Sequence, residues 1–175
     1  MRSQEIHEWV EEQLTHAASW WVKRLSGRDT LAMGARNPGP RIPRELLFEF
    51  LPELGNPHES KPKVKFLLNV DSSGDRVLVT ASSITVRLAR GESRKAGLVT
   101  DWGGVSNPLL DPENTGAAAV FAFHARSGDT LPECHVWICA NLAEEEDVVE
   151  PIWGPILPGV EVLISKANGV QEKRY

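Results

Sequence analysis

Long apolar runs are missing from this chain. No stretch reaches the roughly 18 consecutive apolar residues that a membrane-spanning helix needs, and the opening Met1-Arg2-Ser3-Gln4-Glu5 has no apolar block of the secretory kind. A cytoplasmic protein with no membrane partner is expected. Cysteine is scarce: Cys134 and Cys139 are the two, both within one apolar run. If that run is a strand, their odd separation sends them to opposite faces and rules out a bond between them. With His124 and His135 they form neither a C-x-x-C pair nor the second half of a zinc site, so no metal site is expected. Basic charge is also short, 19 Lys and Arg against 24 Asp and Glu, for a net −5 and a pI near 5.6. Internal repeats and low-complexity linkers are absent, and 175 residues suit a single domain of ordinary size.

The basic residues that are present are concentrated. From Lys23 to Arg44 there are six (Lys23, Arg24, Arg28, Arg36, Arg41, Arg44) against one acid, Asp29, in a run broken by Gly27, Gly34, Pro38, Gly39, Pro40 and Pro43. From Arg87 to Lys95 there are four (Arg87, Arg90, Arg94, Lys95) against Glu92. Both stretches are positive in a chain that is negative as a whole, so the remainder is strongly acidic. Charge distributed in this way lets one edge grip a polyanion while the rest repels it, because phosphate contacts dominate nucleic-acid affinity. The two stretches are expected to be loops that act as arms on DNA, and the average pI misleads about them.

Residues Glu5 to Leu25 carry Ile6, Trp9, Val10, Leu14, Ala17, Trp21 and Leu25 at three- and four-residue steps, which predicts one long helix ending at Gly27. Its acidic start and its Lys23-Arg24 end suit the helix dipole. Pro43 to Leu51 reads as a short second helix with proline at its start. Thereafter the period changes. Strands are predicted at Val64–Val70, Arg76–Val86, Ala117–Ala125, Cys134–Ala140 and Val160–Ser165, separated by turn chemistry such as Asp71-Ser72-Ser73-Gly74-Asp75. Glu144 to Asp147 suggests a short helix with an acidic first turn, and the chain from about Lys166 is expected to fray. Short strands without a βα alternation indicate an α+β, mainly β fold: a closed or nearly closed barrel with flanking helices.

Several residues carry a specific likeness: Lys23-Arg24-Leu25-Ser26 with Asp29-Thr30, Ile42-Pro43, Thr100, Trp102-Gly103, Pro108-Leu109, the unbroken run Asp111 to Ala117, Trp137, Cys139-Ala140, and Glu145 to Val148. In these the chain resembles the N-terminal effector domains of EcoRII-type restriction endonucleases, seven-stranded-type DNA-binding pseudobarrels of the plant B-three kind. The resemblance runs nearly end to end. It implies two loops, an N-arm and a C-arm, that clasp the major groove, and the basic stretches fall where those arms belong. It further implies recognition of 5′-CCWGG by a monomer and a bacterial source. The domain would be the effector part of a type IIE enzyme, with a separate nuclease domain missing from this chain. On that footing the N-arm residues are Lys23, Arg24, Arg28, Arg36, Asn37 and Arg41, and the C-arm residues are Arg87, Arg90, Glu92, Ser93, Arg94 and Lys95. Lys23, Arg24, Arg28 and Lys95 are phosphate candidates, while Arg36, Asn37, Arg41, Arg90, Glu92 and Arg94 are base-reading candidates. Arginine donates twice to guanine and a carboxylate accepts from cytosine N4, which suits C·G pairs. Arg36 and Arg41 replace the family's His and Tyr, and the stretch between Glu92 and Trp102 is longer than the family's.

Plainer readings stand beside these. A basic loop alone is usually a solvated face. Trp9, Trp21 and Trp137 are assigned to the core, and Trp102 to support of the second arm. Glu59-Ser60-Lys61 satisfies a bare nuclease Glu-x-Lys but lies between Pro57 and Pro62 with no evident partner acid. Accordingly no catalytic residue is assigned and no cofactor is needed for DNA binding; Mg²⁺ would belong to the absent nuclease domain. A stand-alone transcriptional regulator with the same barrel is the alternative, followed by a hydrolase acting through Glu59 and Lys61 or through a cysteine and a histidine. Asp111 to Gly116 is read as structural turn chemistry.

Overall fold

Ser19-Trp20-Trp21-Val22-Lys23-Arg24 is the strand β1, paired along both edges, not the second half of a helix. The computed structural model describes residues 2–166 and 170–175. Helix α1 (Arg2–His16) buries Ile6, Trp9 and Val10 and then stops, leaving Leu14 39% exposed. The predicted helix to Leu25 is therefore corrected. Trp20, Trp21 and Val22 are buried on both faces of a sheet, and a segment apolar on both sides satisfies helical and extended periods alike. Ladders on both edges, to the strands Ala118–His124 and Glu161–Ser165, decide for the strand.

Seven further strands complete one sheet: β2 (Lys63–Val70), β3 (Asp75–Arg87), β4 (Ser93–Asp101), β5 (Ala118–His124), β6 (Glu133–Ile138), β7 (Glu161–Ser165) and β8 (Val170–Arg174). Their order is β4-β3-β2-β6-β5-β1-β7-β8, parallel only between β2 and β6, so the sheet is open and β4 and β8 are its edges. Among the described residues the strands number eight, where the resemblance implied seven; β1, β4 and β8 are the strands missing from the five segments predicted above. β8 pairs with β7 from Val170 to Arg174, which corrects the expected fraying there; residues 167–169, also within that expectation, lie outside the described residues. The Arg174 guanidinium bonds Glu45 of helix α2 (Arg44–Phe50) at 3.0 Å.

The sheet carries a core on each face. On one, Trp21, Phe66, Leu68, Phe121, Phe123, Val136 and Leu163 meet Leu46, Leu47 and Phe50 of α2, with Trp102 and Leu109 from the loops. On the other, Trp20, Val22, Val120, Ala122 and Trp137 meet Ile6, Trp9 and Val10 of α1, and Val148, Val149 and Trp153 from residues 142–153. Each such large side chain contributes about 1.5–3 kcal/mol on burial. Cys134 belongs to the first core and Cys139 to the second, and neither is in a disulfide. Burial, together with the charge of Asp71, holds the Cys134 thiol well above its ordinary value.

The segment predicted as one helix with an acidic first turn is a composite: α3 (Leu142–Glu144) capped by the Asn141 side chain, a π turn over Glu145–Val149, and α4 (Glu150–Trp153). Two of its acids are buried. Glu144 accepts from the Ala140 N–H at 2.6 Å, and Glu145 reaches back to β1.

Candidate nucleic-acid interface

The N-arm leaves β1 at Arg24 and is fixed first at its base. The Asp29 carboxylate, 5% exposed as a residue, accepts from the Ser26 N–H at 2.9 Å and pairs with Lys23 Nζ at 2.6 Å. Thr30 Oγ1 accepts from the Ala32 N–H and shares a hydrogen bond with Thr115 Oγ1 at 2.7 Å. Thr115 lies in the run Asp111 to Gly116, where Asp111 caps a 3₁₀ turn and Gly116 N–H donates to the Leu25 carbonyl at 2.8 Å. That acidic run braces the exit of β1 and the start of the arm, the structural role expected for it.

Beyond the base, residues 37–42 face Trp102 and residues 96–99 of the edge strand β4. Gly39 has φ 121°, and a Cβ there would lie 2.1 Å from Cδ1 and Nε1 of Trp102. Only glycine permits that approach. Trp102 is 5% exposed and belongs to the core; it supports the first arm, whereas support of the second was expected.

The C-arm is the end of a β-hairpin. β3 and β4 pair up to Arg87 and Ser93, and the five residues between close with Leu88 N–H donating to the Glu92 carbonyl at 2.7 Å and Gly91 at φ 77°. The expected loop from Arg87 to Lys95 is thus corrected: Arg87 ends β3, and Ser93, Arg94 and Lys95 begin β4. The longer stretch up to Trp102 is strand. Cross-strand hydrogen bonding gives this arm a rigid stem that turn residues alone would not provide.

A cleft of about 470 Å³ lies between the N-arm and the part of β4 beyond the C-arm. Its lining is Asn37 to Ile42 on one side and Ala96 to Val99 with Trp102 on the other. A second hollow, of about 270 Å³, sits within the N-arm between Lys23, Arg28, Asn37 and Arg41. Asn37 and Arg41 line both.

The basic side chains of the arms divide into two groups. Arg24 is bidentate with Glu145 (3.1 and 2.8 Å), and its Nε donates to the Ile156 carbonyl at 2.9 Å. The Glu145 hydrogen bond raises the Arg24 pKa, outweighing the opposite effect of its partial burial. Lys23 is held by Asp29. Lys95 Nζ donates to the Glu59 carbonyl at 2.6 Å, and Arg44 Nε donates to the Lys95 carbonyl at 3.0 Å. Three of the four phosphate candidates, Lys23, Arg24 and Lys95, are therefore engaged within the protein. In contrast, the guanidiniums of Arg28, Arg36 and Arg41 in the N-arm and of Arg87, Arg90 and Arg94 in the C-arm are exposed and have no ion pair or hydrogen bond among the described residues. Asn37, Glu92 and Ser93 are exposed beside them. Unpaired arginines of this kind suit planar, anionic or guanine-edge acceptors.

The other chemistry-bearing residues lie elsewhere. His124 and His135 are adjacent, ring centroids 4.7 Å apart, while Cys134 and Cys139 enter opposite cores, so these four do not converge on one point. Glu59 and Lys61 are both exposed. The residue that sequence reading passed over is Arg44, counted in the basic stretch but given no role.

Residues 14–168 match the family described as Restriction endonuclease EcoRII, N-terminal. The type II restriction enzyme EcoRII of Escherichia coli is 31% identical over 166 residues, which are 94% of this chain and 40% of that enzyme. The chain thus spans about two fifths of that relative's length. Among solved structures, the B3 domain of the UbaLAI restriction endonuclease, crystallised with cognate DNA, aligns over 99% of both chains at 15% identity with a TM-score of 0.42.

Proposed function

Because this chain belongs to the family of EcoRII restriction endonuclease N-terminal domains, we propose that it binds double-stranded DNA sequence-specifically, with the duplex between its two arms. The observation that carries this is the set of exposed arginines, three on each basic segment, that have no ion pair or hydrogen bond among the described residues. Such side chains are costly to group unless an anionic partner neutralises them, and a duplex offers phosphates and guanine edges together.

In this reading Arg28 grips phosphate, and Arg36, Asn37, Arg41, Arg90, Glu92 and Arg94 face base edges, with Arg87 and Ser93 at the stem. Lys23, Arg24 and Lys95 shape the arms from behind. The target is 5′-CCWGG, read by one copy of the chain, and no metal takes part. In a longer protein this domain acts as an effector, whose occupancy favours cleavage by a separate catalytic domain.

Titration of a CCWGG duplex and a scrambled duplex, each with and without EDTA, tests the reading. Preference for the first by a factor of at least 10³, unaffected by EDTA, is the expected result. Equal affinity for both duplexes removes specific reading, and a need for Mg²⁺ removes the metal-free mechanism.

A further inference from the structure

The arms are tied to one another by a residue that neither charge counting nor family likeness singles out. Arg44 follows Pro43, where the N-arm ends and α2 begins. Its Nε donates to the backbone carbonyl of Lys95 at 3.0 Å, one residue beyond Arg94 of the C-arm. Its guanidinium carbon lies 4.6 Å from the centroid of the Phe48 ring, one turn further along α2. Phe48 in turn presses on the same strand, for a Cβ on Gly97 would come within 2.9 Å of its ring. The stem is held on a third side by Lys95 Nζ, bonded to the Glu59 carbonyl. Arg44 is exposed, yet its planar head is oriented by a stack and by a hydrogen bond to an edge strand.

We infer that Arg44 is a positioning residue: a strut from the root of the N-arm to the stem of the C-arm that fixes their separation. A bidentate contact to a base tolerates errors of only a few tenths of an ångström to about half an ångström. Two arms reading one site must therefore be held at a set spacing, and the strut supplies it at the point where Arg94 emerges. The inference rests on the DNA-binding reading for its consequence but not for its geometry.

The test uses the whole chain with Arg44→Ala and Arg44→Lys. Lysine keeps the charge, but its donor lies at the chain end and lacks the flat face that stacks on Phe48. Nitroxide labels on Ala32→Cys and Ala89→Cys, both exposed positions, report the distance between the arms in the absence of DNA. Cys134 and Cys139 are 1% and 4% exposed, and unlabelled parent protein is the control for their inertness. The parent should give a narrow distance distribution, which both Arg44 variants broaden; an unchanged distribution in Arg44→Ala overturns the strut.

The same variants are titrated with the CCWGG and scrambled duplexes. Both should lose about tenfold in preference, while Arg44→Lys keeps the parent's affinity for the scrambled duplex. If Arg44→Lys retains the parental preference, Arg44 acts through its charge on a phosphate and the inference fails. Should the parent itself show no preference, the DNA-binding reading fails and the label distances alone decide the strut.

Discussion

Gly39 lies against the indole of Trp102, so close that a methyl group in its place would lie 2.1 Å from two ring atoms. Trp102 cannot yield easily, since it is part of the core. The N-arm must move instead. Gly39→Ala should cost about 1–3 kcal/mol of stability through overpacking and the positive φ, and should change the Trp102 environment. Thermal melts and duplex titrations check this: the barrel stays folded while affinity for a CCWGG duplex falls more than affinity for a scrambled one. Equal losses on both duplexes would show that the arm's placement has no bearing on recognition.

The free arginines should separate by role. Arg94→Ala is expected to lose about 1–3 kcal/mol of site preference with little change on scrambled DNA, whereas Arg28→Ala should weaken both duplexes alike and reduce the salt dependence of binding by about one phosphate contact. Fluorescence anisotropy at several salt concentrations gives both quantities. An Arg94→Ala protein that discriminates like the parent would remove Arg94 from the reading surface.

Arg24 should behave differently from both. Its side chain is 20% exposed and its partner Glu145 only 8%, and Glu145 Oε1 also accepts from the Ala118 N–H at 3.3 Å. Truncating Arg24 leaves a carboxylate buried without its counter-charge, so Arg24→Ala should cost roughly 3 kcal/mol in urea unfolding. DNA affinity per folded molecule should stay near that of the parent. A large loss of affinity with full stability would restore Arg24 to the phosphate contacts.

The link between α1 and the sheet should be sensitive to pH. Asp71 Oδ2 accepts from Trp9 Nε1 and pairs with His135 Nδ1, both at 2.7 Å. Burial alone would lower the His135 pKa, but the Asp71 hydrogen bond and charge outweigh it, and Glu133 and Glu12 add to the rise. A folded value raised above the unfolded one, about 6.5, contributes stability in full below pH 6.5 and loses it as pH climbs through the raised value. Asp71→Asn should therefore destabilise more at pH 5.5 than at pH 8.5, where the weakened Trp9 bond remains. His124 shifts the other way, lowered by burial first and then by His135, with His16 adding and with Glu133 and Asp71 opposing. Removing Asp71 deepens that shift and adds to the acid-side cost. Urea midpoints at the two pH values decide the matter, and a cost independent of pH would contradict it.

How far the sequence could be read depended on whether a segment had one solution. α2 was legible because Pro43 and a one-sided Leu46, Leu47, Phe50 pattern agree, and β5 because an unbroken Ala118 to Phe123 run flanked by turns suits a strand buried on both faces. β1 was not, since Trp20-Trp21-Val22 fits two periods and only its neighbours β5 and β7, distant in sequence, select one. β4 was hidden by its composition: Ser93 to Gly97 has no apolar alternation, because an edge strand flanked by an arm needs none. The same distinction holds at the interface. Charge clustering marked two basic segments, but it could not tell Arg24 or Lys95 from Arg28 or Arg94. Their acceptors, Glu145 and the Glu59 carbonyl, come from remote parts of the chain. Arg44 went unassigned for the same reason.

The central claim is that both arms engage one duplex at once. A crystal structure of the chain with a CCWGG duplex tests it most directly. The account predicts one duplex per chain between the arms, with side chains from 28–41 on one side of the recognition sequence and from 87–94 on the other. A duplex bound to another face, or held by one arm while the other points to solvent, would contradict it.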